Sequence, residues 1–281
     1  MILVTGATGT IGSEVVKQLV AAGQKVRVLA RNPAKAEKFS GVETVAGDML
    51  KPETLPGALA GVDKIFLLAT STELPHMEAN VIDAAKKAGV KHIVKLSVMG
   101  ADFEPGIPFG QWHRAGEKKL EASGIAWTFL RPTGFASNDL DWANTIKPQG
   151  AVYNPTAEGT NGTIDPRDIA EVAVVALTQP GHEGKIYTLT GPESLSTKQR
   201  VEKIAAASGR KINVIDVTLD QAKQGMLQGG MPAGYVDALI KYLEIVRANY
   251  AGATTEDVQK VLGRKPRSYD TWVKDNVAAF K

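Results

Sequence analysis

Cysteine is missing from all 281 residues. Its absence excludes disulfides, a thiolate nucleophile and thiolate metal ligands, and it fits a reducing compartment. Long apolar runs are missing too, and no stretch approaches the length that crosses a bilayer. Met1 leads straight into Ile2-Leu3-Val4, which leaves no room for a cleaved leader and points to a cytoplasmic protein. Charge of one sign is not concentrated anywhere. The net charge is only +3, and no nucleic-acid partner is directly implied. The four histidines, His76, His92, His113 and His182, are scattered, so no metal-ligand spacing arises. No G-x-S-x-G nucleophile elbow and no flavin-specific signal is present. Aromatic residues are few, at 6%, so an aromatic-lined pocket has little to draw on. What remains is the composition of an ordinary globular chain, 43% hydrophobic, long enough for a sizeable core.

The most informative segment comes first. Ile2–Thr5 reads as a strand, and Gly6-Ala7-Thr8-Gly9-Thr10-Ile11-Gly12 follows at once. Ser13–Ala22 then has helical spacing, with Val15, Val16, Leu19 and Val20 on one face and Gly23 as the stop. Strand, glycine turn and helix in that order make a seat for a dinucleotide pyrophosphate. Helix N-termini present unpaired N–H groups, and glycines let a phosphate approach the backbone. The spacing here is G-x-x-G-x-x-G rather than G-x-G-x-x-G.

Alternation continues through the first half. Val26–Ala30, Val42–Ala46, Ile65–Ala69, His92–Ser97 and Ala126–Arg131 read as strands, with helices over His76–Ala88 and Arg114–Ala122. This predicts an α/β fold with a doubly wound, Rossmann-like parallel sheet over residues 1–134. A late strand near 186–189 is expected to return to it. Residues 135–281 read as a smaller, mostly helical C-terminal lobe that binds substrate, with helices over Pro166–Leu177, Thr197–Ser208, Leu219–Gln228, Pro232–Ala248 and Thr255–Leu262.

The second strand ends Val28-Leu29-Ala30-Arg31-Asn32, with no carboxylate for a ribose 2′-hydroxyl. Arg31 can instead hold a 2′-phosphate bidentately, with Lys35 one turn on, which favours NADP(H) over NAD. Arg31 also reads as a solvated residue opening a helix. Asp48, just past the third strand, reads equally as an acceptor for the adenine amine or as a turn aspartate.

Together these features resemble the short-chain dehydrogenase/reductase superfamily, in its extended and atypical branch. The resemblance rests on Thr5–Gly12, Gly47-Asp48, the run Gly89–Val94 leading to Ser97, and Ser123–Pro132. Thr133–Asn138 and Asp165–Ala170 look like the NmrA-like subgroup. The resemblance implies Gly6, Thr8, Gly9, Thr10, Ile11 and Gly12 along the pyrophosphate, Arg31 at the 2′-phosphate and Asp48 at the adenine. It further implies Ala69 and Thr70 beside the nicotinamide-side ribose, and Pro132 through Phe135 flanking the nicotinamide. Flavin-free azo-dye, quinone and triphenylmethane-dye reductases occur in the subgroup. So do NADP(H)-sensing regulators without known catalysis, which is the alternative reading here.

Orthodox members of the superfamily use Tyr-x-x-x-Lys. Counting back from Gly124, Phe109 takes the tyrosine position and His113 the lysine position. The tyrosine acid is therefore missing. Acceptors with delocalised charge need little proton assistance, which points to azo dyes, quinones and triphenylmethane dyes. His113 titrates near neutrality when unperturbed, so it is a candidate to relay a proton or hold a ribose hydroxyl. It also reads as a helix-surface histidine without a role. Ser97 is a candidate hydroxyl donor to substrate, or simply a strand-end hydrogen-bonding residue.

A flat aromatic or quinoid substrate would find Phe109, Trp112, Phe135, Trp142, Tyr153, Met231 and Tyr235 in or beside the later loops, though each also reads as core. The loop Asp102–Gly110 is a candidate lid. No metal and no membrane partner is expected, and the protein is expected to be a monomer or homodimer.

Overall fold

The computed structural model describes residues 1–36, 39–103 and 106–281, with the side chains of residues 35 and 36 outside the description. In chain order the elements are β1 (Ile2–Val4), α1 (Thr10–Ala21), β2 (Val26–Ala30), β3 (Glu43–Ala46), α2 (Leu55–Leu59), β4 (Lys64–Leu67), α3 (Leu74–Ala88), β5 (His92–Leu96), α4 (Pro108–Glu121) and β6 (Ala126–Pro132). Then come α5 (Ala143–Gln149), β7 (Ala151–Asn154), β8 (Thr160–Asn161), α6 (Pro166–Thr178), β9 (Lys185–Leu189), β10 (Leu195–Ser196) and α7 (Thr197–Ser208). The chain closes with β11 (Asn213–Asp216), α8 (Leu219–Gln228), α9 (Ala233–Arg247), α10 (Asp257–Leu262) and α11 (Tyr269–Asn276).

The chain divides into two compact units. The first is Met1–Gly106, Gly110–Pro132 and Pro166–Thr188; the second is Ile107–Phe109, Thr133–Asp165 and Leu189–Lys281. Seven strands form one sheet in the order β3-β2-β1-β4-β5-β6-β9. The ladders from β3 to β6 are parallel, with Leu3 opposite both Arg27 and Ile65, and Ile93 opposite both Ile65 and Trp127. Strand order reverses at β1, which is where doubly wound sheets bind ligands. β1, β2 and β5 are buried at every position, as expected of strands covered on both faces.

Leu3, Ile65, Leu67, Ile93 and Phe129 form the sheet side of the first unit's core, and Leu59 and Ile82 meet them from α2 and α3. α1 packs against α6. That places α6 in the first unit, whereas the sequence pattern assigns it to the C-terminal lobe. The apolar face of α6 covers the sheet, and periodicity alone does not say which sheet a helix covers. α4 begins at Pro108, earlier than the predicted Arg114, so the last part of the proposed lid is helical. Proline suits a first helical turn because its missing N–H has no partner there anyway.

The second unit has its own core, in which Ile146, Val152, Val201, Ile204, Trp272 and Phe280 cluster. It is not purely helical. β7 and β11 form a parallel ladder, Ala151 opposite Asn213, and β8 and β10 pair antiparallel. α7 and α8 start where read, because Ser196 with Gln199 and Thr218 with Gln221 build complete capping boxes. Among the described residues no helix is long and apolar enough to cross a membrane. No group of three or more His, Cys, Asp or Glu there is arranged to hold a metal ion.

Candidate functional site

The glycine turn leaves β1 at the strand-order reversal. Thr5 Oγ1 donates to Leu68 O and accepts from Leu68 N–H, both at 2.8 Å, which ties the ends of β1 and β4 together. Gly6 then takes φ +62°, and a Cβ there would lie 2.4 Å from Leu68 Cδ2. Gly12 rests on the same turn: its Cβ would fall 2.2 Å from Gly6 O. Gly9, the N-cap of α1, donates to Gly6 O at 3.0 Å and offers the helix no side-chain cap. Thr8, Gly9 and Thr10 are exposed. The open N–H groups of α1 therefore form an anion seat that the fold itself leaves unsatisfied. A dinucleotide pyrophosphate fits this cradle. Ile11 is buried with the core, so only its backbone is available to a phosphate.

Arg31 directly follows β2, is exposed, and has no hydrogen bond or ion pair to any described residue. Lys35, its expected helper, has a side chain outside the described part. Asp48 follows β3 and is half-buried. Its Oδ1 accepts from Leu50 N–H at 3.0 Å, and its own N–H donates to Thr54 Oγ1 at 3.0 Å. It closes a turn, as one of its two readings holds. Ala69 and Thr70 follow β4, half-buried and exposed respectively. Pro132 ends β6 and is buried, and its carbonyl accepts from Met99 N–H at 2.9 Å.

Behind the ends of β5 and β6 lies a buried charged network that the sequence reading misses. Ser97 is 3% exposed, and its hydroxyl donates to Glu117 Oε1 at 2.7 Å. The same carboxylate is gripped by Arg131, through Nε at 2.9 Å and Nη2 at 2.8 Å. Burial pushes Glu117 up, but the bonds from Arg131 and Ser97 overcome it and hold the carboxyl below its ordinary value. The Ser97 hydroxyl is therefore engaged by Glu117 rather than open to a substrate.

His113, on α4, stands with Nδ1 3.2 Å from Nζ of Lys95. Burial and then the Lys95 charge hold its imidazole well below the ordinary value. Both effects disfavour the imidazolium, against the expectation of titration near neutrality. Lys95, whose Nζ stands 3.1 Å from Oε1 of the buried Glu78, has a sequence signal. Lys95 interrupts an apolar run in a strand buried on both faces, where a charge must have a partner.

Of the aromatic candidates, Phe109 and Tyr235 meet edge to face in the second unit, centroids 5.2 Å apart. Met231 is half-buried and donates its N–H to Met226 O. Phe135 is half-buried at the start of a 3₁₀ turn and bridges to Ile164. Trp112, on α4, is half-buried. Trp142 belongs to the second unit's core and lies under the Arg200 guanidinium, 4.9 Å from the ring centroid. Tyr153 is exposed on β7, with its hydroxyl donating to Gln149. Trp142 and Tyr153 are thus occupied as packing and surface groups, and neither joins the Phe109–Tyr235 pair.

Residues 6–180 match a family model described as NAD(P)H-binding. The chain is 42% identical to an NAD(P)H azoreductase of Xenophilus azovorans, over 100% of this chain and 99% of that protein. The NADPH-dependent quinone oxidoreductase of Escherichia coli, solved with NADPH, is similar at a TM-score of 0.89 and 28% identity, covering 98% of this chain and 99% of that one. A Citrobacter sp. triphenylmethane reductase complexed with NADP(H) is similar at a TM-score of 0.85 and 28% identity, with 98% and 99% covered.

Proposed function

The chain belongs to the NAD(P)H-binding family, and we propose that it is an NADPH-dependent, flavin-free reductase of flat electrophiles: azo dyes, quinones or triphenylmethane dyes. The observation that carries the reading is the uncapped, glycine-built N-terminus of α1, followed by the exposed Arg31 at the end of β2. NADPH bound there supplies a hydride. The open N–H groups of Thr10 and Ile11 hold the pyrophosphate, with Gly9 keeping the turn close to it. Arg31 binds the 2′-phosphate, and Asp48 takes the adenine edge with the carboxylate oxygen its turn leaves over. Ala69 and Thr70 lie along the second ribose, and Pro132 flanks the nicotinamide.

The acceptor class follows from what the chain does not provide. Phe109 stands at the tyrosine position, and burial with the Lys95 charge disfavours the imidazolium form of His113. Neither is a strong acid, so the acceptor must take a hydride without protonation in the same step. Quinones, quinone-hydrazone forms of azo dyes and triarylmethane cations meet that condition. Flat and polarizable side chains suited to such a ligand are Trp112 in the first unit and Phe109, Tyr235, Met231 and Phe135 in the second.

The test is NADPH oxidation by flavin-stripped protein, followed at 340 nm with a panel of one quinone, one azo dye and one triphenylmethane dye. Turnover with at least one, and none with simple ketones, is expected. NADPH binding with no turnover of any acceptor would favour the regulatory alternative.

A further inference from the structure

Lys95 is the one charged residue of β5, and the proposed reaction gives it no part. Its side chain and that of Glu78 on α3 are both 0% exposed, with Nζ 3.1 Å from Glu78 Oε1. The same ammonium lies 3.2 Å from His113 Nδ1 and 3.3 Å from Leu96 O. Glu78 fits there because residue 116 is glycine. A Cβ at Gly116 would stand 1.6 Å from Glu78 Oε2 and 2.9 Å from Lys95 Cε. Strand, two helices and one glycine are therefore matched around a single buried ammonium.

A buried ion pair of this kind is a poor source of stability. Its consequence is at the imidazole. An ammonium has three donors and no acceptor. Nδ1 of His113 must accept from it, and the ring's own proton then sits on Nε2. The geometry points to Lys95 and Glu78 as positioning residues that lock His113 as a neutral Nε2–H donor, presented to a hydroxyl or oxyanion of the bound dinucleotide or acceptor. This rests on the reading of His113 as a residue of the reductase site.

Three further groups complete the electrostatics. Glu117, also on α4, raises Glu78 by like charge, yet burial is the larger effect and pushes Glu78 up to about 7 against the pull of Lys95. Arg131 of β6 and Ser97 are turned to Glu117 through the bonds described above. Lys95 is therefore the cation that faces His113, and its charge adds to burial in keeping the ring neutral.

The experiment uses the whole protein labelled with ¹⁵N-histidine. Two-bond ¹H–¹⁵N correlation spectra from pH 5.5 to 9 report each ring's tautomer and charge. The parent is expected to show His113 as a non-titrating Nε2–H ring. In Lys95→Met the lock should be lost, so that the ring samples both tautomers and protonates at higher pH than in the parent. Because Lys95→Met alone leaves Glu78 without its partner, Lys95→Met/Glu78→Leu is measured beside it as a volume-matched neutral pair. The same loss of the lock is expected there, with kcat for NADPH and a quinone down roughly tenfold and KM for NADPH little changed. A folded double variant in which His113 stays a non-titrating Nε2–H ring would overturn the proposal. A locked parent ring in a protein that reduces no acceptor would refute the reductase reading instead, and leave the lock upheld.

Discussion

The Ser97 hydroxyl and the fully buried Glu117 carboxylate are joined at 2.7 Å, and through Arg131 that bond ties the ends of β5 and β6 to the middle of α4. Ser97→Ala removes one hydrogen bond to a charged group. A stability loss of about 1.5–3 kcal/mol is expected, with turnover changed by less than roughly threefold. Thermal melts and NADPH oxidation on the same samples check this. A loss of turnover of roughly a hundredfold or more at unchanged stability would make Ser97 a substrate donor.

Glu117 and Glu78 shift in opposite directions, and their pH signatures differ accordingly. Glu117 is held below its unfolded value of 4.5, so its stabilising contribution is complete above that value and is lost as pH falls through the folded pKa. Glu78 is raised from 4.5 to about 7. The folded state then binds the extra proton, and the Glu78 contribution declines as pH rises through that window. Urea unfolding from pH 3 to 8 reads both. Glu117→Gln should cost about 3–5 kcal/mol at pH 7 and flatten the acid decline. Glu78→Gln should flatten the fall in stability between about pH 4.5 and 7. Unchanged slopes would contradict the two assignments.

Arg31→Asp should weaken NADPH far more than NADH. A charge-assisted bond to the 2′-phosphate accounts for about 1–3 kcal/mol. Titration of both cofactors into parent and variant measures the difference. Equal weakening of the two would remove Arg31 from the 2′-phosphate.

The second and third glycines of the turn separate folding from binding. A Cβ at Gly9 meets nothing closer than Gly6 O at 3.4 Å, so Gly9→Val should still fold, with only the modest loss of a poorer N-cap. Its side chain would project where the phosphates sit, and NADPH binding should vanish. At Gly12 a Cβ would press on backbone at 2.2 Å, so Gly12→Ala should lose about 1–3 kcal/mol as well as cofactor affinity. Normal NADPH binding by a folded Gly9→Val would place the phosphates elsewhere.

The first unit was legible because its signals are local. The spacing of Gly6, Gly9 and Gly12 announces strand, turn and helix, and Gly23 and Gly89 mark where α1 and α3 stop. The second unit depends on pairings distant in sequence. Val152 and Val214 become neighbours only in the β7–β11 ladder, which no window of residues contains. α2 was hidden by Pro56 and Gly57, and β7 by its four-residue length. At the site, His113 was found by counting from Gly124, but its charge state was not. Lys95 lies eighteen positions back, and its burial follows from sheet order rather than from the residues beside it.

Direct hydride transfer without flavin is tested most sharply by isotope. Flavin-stripped protein is given NADPH deuterated at nicotinamide C4 on either face, and a triphenylmethane dye, in ordinary water. The account predicts a leuco dye with deuterium on its central carbon from one of the two labelled cofactors, because that C–H bond does not exchange with solvent. Dye reduced with protium alone from both would mean that the hydrogen had passed through an exchanging carrier, and would contradict the account.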